Sequence, residues 1–277
     1  MERWRKAMSK LVVPSRHPDE TGNVVRVTPE SAGWEYVGFE VYALHTGQTL
    51  RKETGEQEVC IVLLQGRATV SSKHCKWDDI GQRMNVFEKT PPYAVYIPDH
   101  DVYEIEAVTD VQCAICAAPG KGNHEARLIA PDDVGVEIRG AGNIERRIHN
   151  ILPEQQPADS LLVVEVFTPD GHWSSYPPHK HDRENLPHES YLEETYYHKV
   201  HPVGGFVVQR VYTDDRSLDE TMVVNDGDVV LVPKGYHPVS VPPGYEGYYL
   251  NVMAGPVRTW KFHNDPDHAW IMETFQK

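Results

Sequence analysis

The sequence has few cysteines, no long apolar run and no excess of positive charge. Its four cysteines are too few and too scattered for a disulfide scaffold. No stretch approaches the roughly 20 apolar residues that span a membrane, and the opening MERWRKAMSKLVV lacks the apolar core and cleavage site of a signal peptide. A formal net charge of −14 argues against nucleic acid as a partner, because phosphate binding needs clustered lysine and arginine. We therefore expect a cytoplasmic protein with neither membrane nor nucleic-acid partners.

Two of the cysteines, Cys113 and Cys116, form a single CxxC in the run VQCAIC. Without a second pair, this spacing is weak evidence for zinc. The run is typical of a strand, in which an offset of three residues puts two side chains on opposite faces. We interpret both residues as ordinary buried cysteines.

Short runs rich in Val, Ile, Tyr and Leu recur along the chain, and convincing amphipathic helices are hard to find. Gly, Pro, Asn and Asp separate the runs, and 21 prolines and 20 glycines supply turns. This spacing predicts an all-β sandwich or barrel. The clearest runs are EVCIVLLQG (58–66), YAVYIP (93–98), LLVVEVF (161–167), DVVLVP (228–233) and GYYLNVMA (247–254).

The chain also contains an internal repeat. YIPDHDVYEIEAV matches LVPKGYHPVSVPP, and ICAAPG matches NVMAGP. Glu58 precedes Pro98 by forty residues, and Glu194 precedes Pro233 by thirty-nine. We predict an N-terminal barrel at 1–120, a connector at 121–157 and a C-terminal barrel at 158–277. Within the connector, NIERRIHNIL forms either a short helix or an added strand.

The strongest chemical signal is SYPPHKHD, in which His179 and His181 lie two residues apart. In a strand this offset places both imidazoles on one face, where they suit a divalent ion. Glu194 opens the strand-like run ETYYHKV, and His237 follows a Pro-x-Gly turn that returns the chain towards the first pair. These four residues, in this order, predict one metal site in the C-terminal half.

Several acids compete for the position of the carboxylate ligand, because the segment after His181 is long. Glu193 and Glu189 compete with Glu194 for this position. We choose Glu194 because it begins the strand register and aligns with Glu58 in the repeat.

The pattern HxH…E…PxGxH resembles the two motifs of the cupin superfamily, whose fold is a small jelly roll. Twelve residues separate His181 from Glu194, where most cupins have three or four, and Tyr236 alone separates Gly235 from His237. The segments YPPHKHDRENLPHESYLEETYYHKV and DGDVVLVPKGYHPV indicate one particular family within the cupins, and the resemblance covers essentially the full length of the chain. They resemble the 5-deoxy-glucuronate isomerase family of inositol catabolism, which is related to 5-keto-4-deoxyuronate isomerase and typically carries the long insert. The resemblance implies a double cupin, with two jelly-roll β-barrels in tandem.

The resemblance also implies the reaction, a metal-dependent isomerisation of 5-deoxy-D-glucuronate to 2-deoxy-5-keto-D-gluconate. Zinc is the ion we expect first, although Mn, Fe, Co and Ni suit the same ligands.

The N-terminal barrel should lack metal. His45 and Glu58 correspond to two of the four ligands, but Ala43 and Val102 stand at the other two positions, and two ligands are too few for a tight site. We expect at least a homodimer, since cupins often hide sheet edges by pairing.

Several residues are candidates for proton transfer. Lys234 and Tyr236 flank the metal turn, and Tyr196 shares the strand face of Glu194. Tyr176 and His172 precede the HxH, and we assign Tyr176 to substrate binding. A base beside a metal would have a lowered pKa, which suits work near neutral pH.

The carboxylate of the sugar acid needs a cationic partner. Arg183 and Arg210 are the leading candidates, because a guanidinium binds carboxylate through two parallel hydrogen bonds. Arg146 and Arg147 in the connector are weaker candidates that could instead stabilise a subunit interface.

Three histidines and a glutamate are also the ligand set of Fe(II) cupin dioxygenases, so an oxygen-using enzyme is the main alternative. An isomerase of a related uronate is another. A non-catalytic sugar-binding or regulatory cupin is disfavoured, because no DNA-binding element accompanies the barrels.

Overall fold

The computed structural model describes residues 9–274. Strands form nearly all of its regular structure, so the all-β prediction is confirmed. The two α-helices, α1 (Pro29–Ala32) and α2 (Ile271–Thr274), have four residues each. Within the described residues, no helix combines the length and apolar character that membrane crossing requires.

The strands fall into three consecutive groups. The first group comprises β1 (Val12–Val13), β2 (Asn23–Val27), β3 (Gly38–Leu44), β4 (Thr49–Glu53), β5 (Gln57–Gln65), β6 (Ala68–Ser71), β7 (Lys76–Ile80), β8 (Ala94–Ile97), β9 (Val102–Ala107) and β10 (Val111–Pro119). The second comprises β11 (Arg127–Ile129), β12 (Gly135–Arg139) and β13 (Arg146–Leu152). The third comprises β14 (Leu162–Thr168), β15 (Trp173–Ser174), β16 (His179–Lys180), β17 (Asp182–Asn185), β18 (Glu189–Tyr191), β19 (Glu193–His201), β20 (Phe206–Tyr212), β21 (Asp219–Asn225), β22 (Val229–Val232), β23 (Val239–Ser240), β24 (Glu246–Ala254) and β25 (His263–Asn264). Short 3₁₀ turns occur at Val86–Glu88, Pro131–Asp133, Gly142–Ile144 and Pro266–His268.

Each half of the chain folds as one large sheet facing one small sheet. In the N-terminal barrel, the six-stranded order β11-β8-β5-β10-β3-β2 is joined by the four-stranded order β4-β9-β6-β7. In the C-terminal barrel, the seven-stranded order β1-β22-β19-β24-β14-β13-β12 is joined by β15-β23-β20-β21. The central orders β8-β5-β10-β3 and β22-β19-β24-β14 correspond, so the repeat in the sequence is a repeat in the topology.

The two large sheets pack against each other, and this explains why their strands are apolar on both faces. On β14, Leu162, Val164 and Val166 belong to the interior of the C-terminal barrel. The alternate residues Val163 and Phe167 belong to a separate core shared with the N-terminal barrel. Because side chains alternate along a strand, a run such as LLVVEVF fills two cores at once.

The same alternation accounts for the CxxC. Cys113 lies in the interior of the N-terminal barrel and Cys116 in the core between the barrels. Both thiols are buried and free.

Short strands cross between the halves. Val12 of β1 pairs with Val230 in the C-terminal sheet, whereas Arg127 of β11 pairs with Tyr96 in the N-terminal sheet. The segment NIERRIHNIL contains β13, an added strand at the C-terminal sheet, with β12 beyond it at the sheet edge. Residues 121–157 are therefore structural members of both sheets as well as the link between them.

Strand register gives the equivalence between the two barrels. Val59 pairs with Ile97, immediately before Pro98, and Glu194 pairs with Val232, immediately before Pro233. Val59 is therefore the counterpart of Glu194, and Glu58 is the counterpart of Glu193. The sequence alignment of Glu58 with Glu194 is displaced by one residue, which in a strand exchanges the two faces.

Candidate metal centre

Three of the four predicted ligands converge inside the C-terminal barrel. The Nε2 atoms of His181 and His237 lie 3.1 and 3.2 Å from Oε2 of Glu194. All three side chains are buried, and their ligand atoms lie within 4.8 Å of one another. This is the only group of this kind among residues 9–274.

Hydrogen bonds to the backbone orient both imidazoles. His181 Nδ1 lies 3.0 Å from the Leu192 carbonyl oxygen, and His237 Nδ1 lies 2.8 Å from that of Gly235. Donation at Nδ1 leaves each Nε2 lone pair pointing at the centre of the group, as in metal-binding histidines. Nε2 of His237 is buried and makes no hydrogen bond within the described residues. A cation is the partner that fits such an arrangement, because a buried polar atom without a partner is costly.

His179 lies beside this group, on the side of the cavity described below. Its ring centroid is 4.8 Å from that of His237 and 6.3 Å from that of His181. Burial, followed by the neighbouring His237 and His181 rings, holds the pKa of His179 well below its usual value. The ring is therefore neutral at pH 7, which is the protonation state that binds a metal.

The local sequence explains how these side chains reach one place. On β19, alternation directs Glu194, Tyr196 and His198 to one face, where their rings and carboxylate meet the other ligands. His237 follows a turn in which Gly235 has a φ of +91°. A Cβ on Gly235 would lie 2.4 Å from the carbonyl oxygen of Tyr212, so only glycine fits this turn.

The two competing carboxylates accept hydrogen bonds from backbone N–H groups away from the histidines. Glu193 points to the opposite face of β19 and accepts hydrogen bonds from the backbone N–H groups of residues 35–37. Glu189 accepts a hydrogen bond of 2.9 Å from the backbone N–H of Asp182. Of the three acids that the sequence offers, Glu194 alone contacts the histidines.

A cavity of about 320 Å³ opens beside His179. It continues inward as a narrow pocket that reaches Glu194 and Tyr196. The lining residues of the outer cavity include Ile138, Arg139, Arg146, Tyr176, Pro177, His179, Phe262 and Met272. A larger cleft of about 710 Å³ lies alongside but contains none of the predicted ligands. We place the site in the smaller cavity, because the histidine and carboxylate chemistry is there.

The three candidates for proton transfer separate clearly. The Tyr196 hydroxyl lies 2.9 Å from Oγ of Ser175, and its ring lies 5.6 Å from that of His237. Tyr236 points to the opposite side, where its hydroxyl donates to Asp214. The Lys234 side chain is exposed on the turn. The structure thus places Tyr196 beside Glu194 and His237 and leaves the other two outside this group.

The predicted carboxylate-binding arginines lie away from the cavity. Arg210 donates two hydrogen bonds to Asp219 on the neighbouring strand β21, at 2.8 and 2.7 Å. Arg183 is exposed and pairs with Asp214. Alternation on β20 faces Arg210 outward, and sequence alone could not tell which face is which. Tyr176 does line the cavity, with its ring 5.3 Å from that of Trp173.

Residues that the sequence analysis did not assign complete the pocket. Tyr249 and Asn251 of β24 line it together with Ser175. His198 lies behind Tyr196, with ring centroids 5.9 Å apart, and its Nε2 is 2.9 Å from Gln209 Oε1. The period-two count from Glu194 passes through both Tyr196 and His198, so that signal was present in the sequence.

Comparisons with known proteins give relatives over nearly the full chain. The model of the KduI/IolB family matches residues 11–271. The 5-deoxy-glucuronate isomerase of Geobacillus kaustophilus is 77% identical over 96% of this chain and 97% of that protein. The crystal structure of an IolB-like protein from Salmonella typhimurium is 52% identical, covers 95% of this chain and 99% of that chain, and has a TM-score of 0.93.

A more distant likeness concerns the fold. Oxalate decarboxylase of Lactobacillus farciminis has a TM-score of 0.65 at 14% identity, covering 98% of this chain and 97% of that chain. At that identity the likeness shows the architecture alone, and the double-cupin prediction is confirmed.

Proposed function

The chain belongs to the KduI/IolB family, and we propose that it isomerises 5-deoxy-D-glucuronate to 2-deoxy-5-keto-D-gluconate. The resemblance found in the sequence is confirmed by the family match and by relatives that carry this enzyme's name over nearly the full chain. The observation that carries the proposal is the convergence of His181, Glu194 and His237 beside His179, which lines a cavity large enough for a small ligand.

We propose that His179 joins these three residues in holding one divalent ion. Three neutral imidazoles and one carboxylate leave the ion a net positive charge and open positions. When bound, the ion supplies a Lewis acid for the substrate's carbonyl oxygen and adjacent hydroxyl oxygen. Zinc is the ion that we expect first, and elemental analysis identifies it directly.

The reaction moves one hydrogen from C2 to C1 and one proton from the C2 oxygen to the C1 oxygen. Among the described residues, Tyr196 is positioned to serve that exchange. Burial raises the pKa of its phenol well above the usual value, with Glu194 and Tyr249 as further causes. The phenol therefore keeps its proton at pH 7 and acts as a donor to a substrate oxygen. Ser175, which contacts the hydroxyls of both Tyr196 and Tyr249, links these groups in one chain of hydrogen bonds.

The test is direct conversion. Purified protein is incubated with 5-deoxy-D-glucuronate in an NMR tube, with dissolved oxygen recorded in parallel. We expect the aldehyde to be replaced by the 5-keto product without oxygen consumption. Oxygen uptake with an iron-loaded sample would favour a dioxygenase, and equal turnover of another uronate would reassign the substrate.

We propose a cytoplasmic location and at least a dimeric state. The free thiols of Cys60, Cys75, Cys113 and Cys116 suit a reducing compartment. Strand β12 is the edge of the seven-stranded sheet, and Val136 and Ile138 on it are about half exposed. A second copy would cover this edge. Light scattering of the wild type and of Ile138→Glu checks the assembly.

A further inference from the structure

Arg146 is a buried cation without an anionic partner. Arg146 is the first residue of β13, and it is 9% exposed. It donates to two backbone carbonyl oxygens, those of Ile144 at 3.0 Å and of Arg139 at 3.4 Å. Within residues 9–274 no carboxylate forms an ion pair with it. Its acidic neighbour Glu137 instead accepts a hydrogen bond of 2.6 Å from Arg139.

Such an arrangement is costly unless a ligand completes it. Buried charges in folded proteins are paired, because removing an ion from water costs several kcal/mol. The cost is visible in Arg146 itself, whose pKa is lowered chiefly by desolvation. The carbonyl bonds both use Nη1, so the other guanidinium nitrogens stay available to a planar anion.

The position of Arg146 relates it to the reaction. It lines both the outer cavity and the inner pocket, and the inner pocket also contains His179 and Glu194. Its charge is close enough to lower the pKa of His179. An anion at Arg146 would therefore lie in the pocket that His179 and Glu194 also line, on the side that β13 provides.

A second donor belongs to a residue that lines the same pocket. Trp260 lines it, and its indole Nε1 is buried with no acceptor in the described part of the chain. An indole N–H can only donate, so its missing partner must be an acceptor such as a carboxylate oxygen. A buried arginine without an anionic partner and an indole N–H without an acceptor, both on residues that line this pocket, indicate an anion site.

We propose that Arg146 binds the carboxylate of the sugar acid, with Trp260 as a second donor, and so selects uronates over neutral sugars. This assignment rests on the proposed isomerase function and extends it to specificity. It also gives the connector a role in substrate binding, because Arg146 belongs to the segment that adds β12 and β13 to the sheet. The loop before β13 holds that group in place: a Cβ on Gly140 would lie 2.8 Å from Nη1 of Arg146.

The experiment compares two substrates in three proteins. The substrates are 5-deoxy-D-glucuronate and 5-deoxy-D-glucose, which replaces the carboxylate by a neutral CH₂OH group. The proteins are the wild type, Arg146→Gln, and the control Arg147→Gln, which removes the same charge one residue along on the other face of β13. We expect Arg146→Gln to lower kcat/KM for the uronate about 100-fold, mostly through KM, because a buried charge pair is lost. Turnover of the neutral sugar should change less than about threefold, and Arg147→Gln should resemble the wild type.

Further readouts separate this role from a structural one. Arg146→Lys should recover part of the uronate activity, since charge returns without the two-pronged geometry. Trp260→Phe should cost about tenfold for the uronate alone. Because Arg146 has no anionic partner in the free protein, Arg146→Gln should unfold within about 3 °C of the wild type.

The failures are distinguishable. A wild type that converts neither substrate contradicts the proposed function. A wild type that converts the uronate, with Arg146→Gln losing both substrates equally or neither, overturns the assignment of Arg146 alone. A large drop in unfolding temperature for Arg146→Gln but not for Arg147→Gln would assign Arg146 a structural role instead.

Discussion

Glu58 and Glu193 occupy equivalent positions in the two barrels, and each carboxylate accepts hydrogen bonds from the backbone of the other barrel. Together these contacts form a clamp between the barrels. The Glu58 carboxylate accepts the N–H groups of residues 159–161 at 2.6–2.7 Å. The Glu193 carboxylate accepts those of residues 35–37 at 2.7–3.1 Å. Residues 159–161 lead into β14, and residues 35–37 lead into β3. In the two corresponding sheet orders, β14 is two places from β19 and β3 is two places from β5. The clamp therefore joins the two barrels and fixes the face of β19 from which Glu194 reaches His181 and His237.

This clamp predicts different outcomes for two adjacent glutamates. Glu193→Gln should lower the free energy of unfolding by about 2–4 kcal/mol, because an amide cannot accept three N–H groups as a carboxylate does. It should leave the metal content unchanged. Glu194→Gln should lose most of the metal. Denaturant titration and elemental analysis of both variants check this, and loss of metal from Glu193→Gln with retention in Glu194→Gln would reverse the ligand assignment.

Proton transfer should depend on Tyr196 and not on Tyr236. Tyr196→Phe removes the donor that faces the ligands, and kcat should fall about 10²–10³-fold. Tyr236→Phe removes a hydroxyl bonded to Asp214 on the other side of the strand, and kcat should change less than about threefold. Steady-state rates at saturating 5-deoxy-D-glucuronate measure both effects. Equal losses in the two variants would show that Tyr196 has no special role.

Acid should destabilise the protein through His198. Burial lowers the pKa of this histidine from its ordinary 6.5 to about 4, against a smaller opposing effect of the hydrogen bond with Gln209. Between pH 6.5 and 4 the unfolded chain binds a proton that the folded chain does not. Stability supplied by the neutral ring is therefore complete above pH 6.5 and is lost as the pH falls towards 4, by about 3 kcal/mol in total.

The measurement compares unfolding free energies at pH 7 and pH 5 for the wild type and His198→Gln, both treated with chelator. We expect a smaller pH dependence in the variant. Identical pH dependence in the two proteins would mean that His198 titrates alike in both states.

The core between the barrels holds a second polar connection. Arg83 donates two hydrogen bonds to Glu165, at 2.8 and 2.9 Å, and Tyr248 and His149 complete the coordination of that carboxylate. Arg83→Met leaves a buried charge with fewer partners, and we expect a loss of about 3–5 kcal/mol in unfolding free energy. Arg67→Met is the control, because its pair with Asp79 is exposed and should contribute less than about 1 kcal/mol. Equal effects in calorimetry would contradict this difference.

The sequence predicted the fold because its local patterns have one physical meaning. Runs that are apolar on both faces require cores on both sides, and two copies of such a unit supply them. The convergence of His181, Glu194 and His237 was predictable because strand alternation and a Pro-x-Gly turn determine side-chain directions locally, whereas His179 lies beside that group. The free cysteines followed from the same alternation.

Features that depend on which face of a strand lies inward were harder to predict from the sequence. Arg210 lies on the outer face of β20, and Tyr236 is buried on the side away from Glu194, where it contacts Asp214; only tertiary packing decides either placement. The Glu58 alignment could have been corrected from the sequence, because Glu193 precedes Pro233 by forty residues, as Glu58 precedes Pro98. The placement of Arg146 in the pocket depends on the tertiary packing around β13, which no local pattern encodes.

Metal dependence is tested most directly by elemental analysis combined with chelation. Protein purified without added metal is analysed for bound ions, and its rate with 5-deoxy-D-glucuronate is measured before chelation, after complete metal removal and after the ion is restored. We expect one divalent ion per chain, loss of turnover on removal and recovery on restoration, with His237→Ala inactive throughout. Turnover that survives complete removal of metal would contradict a cation held by His179, His181, Glu194 and His237 as the centre of the reaction.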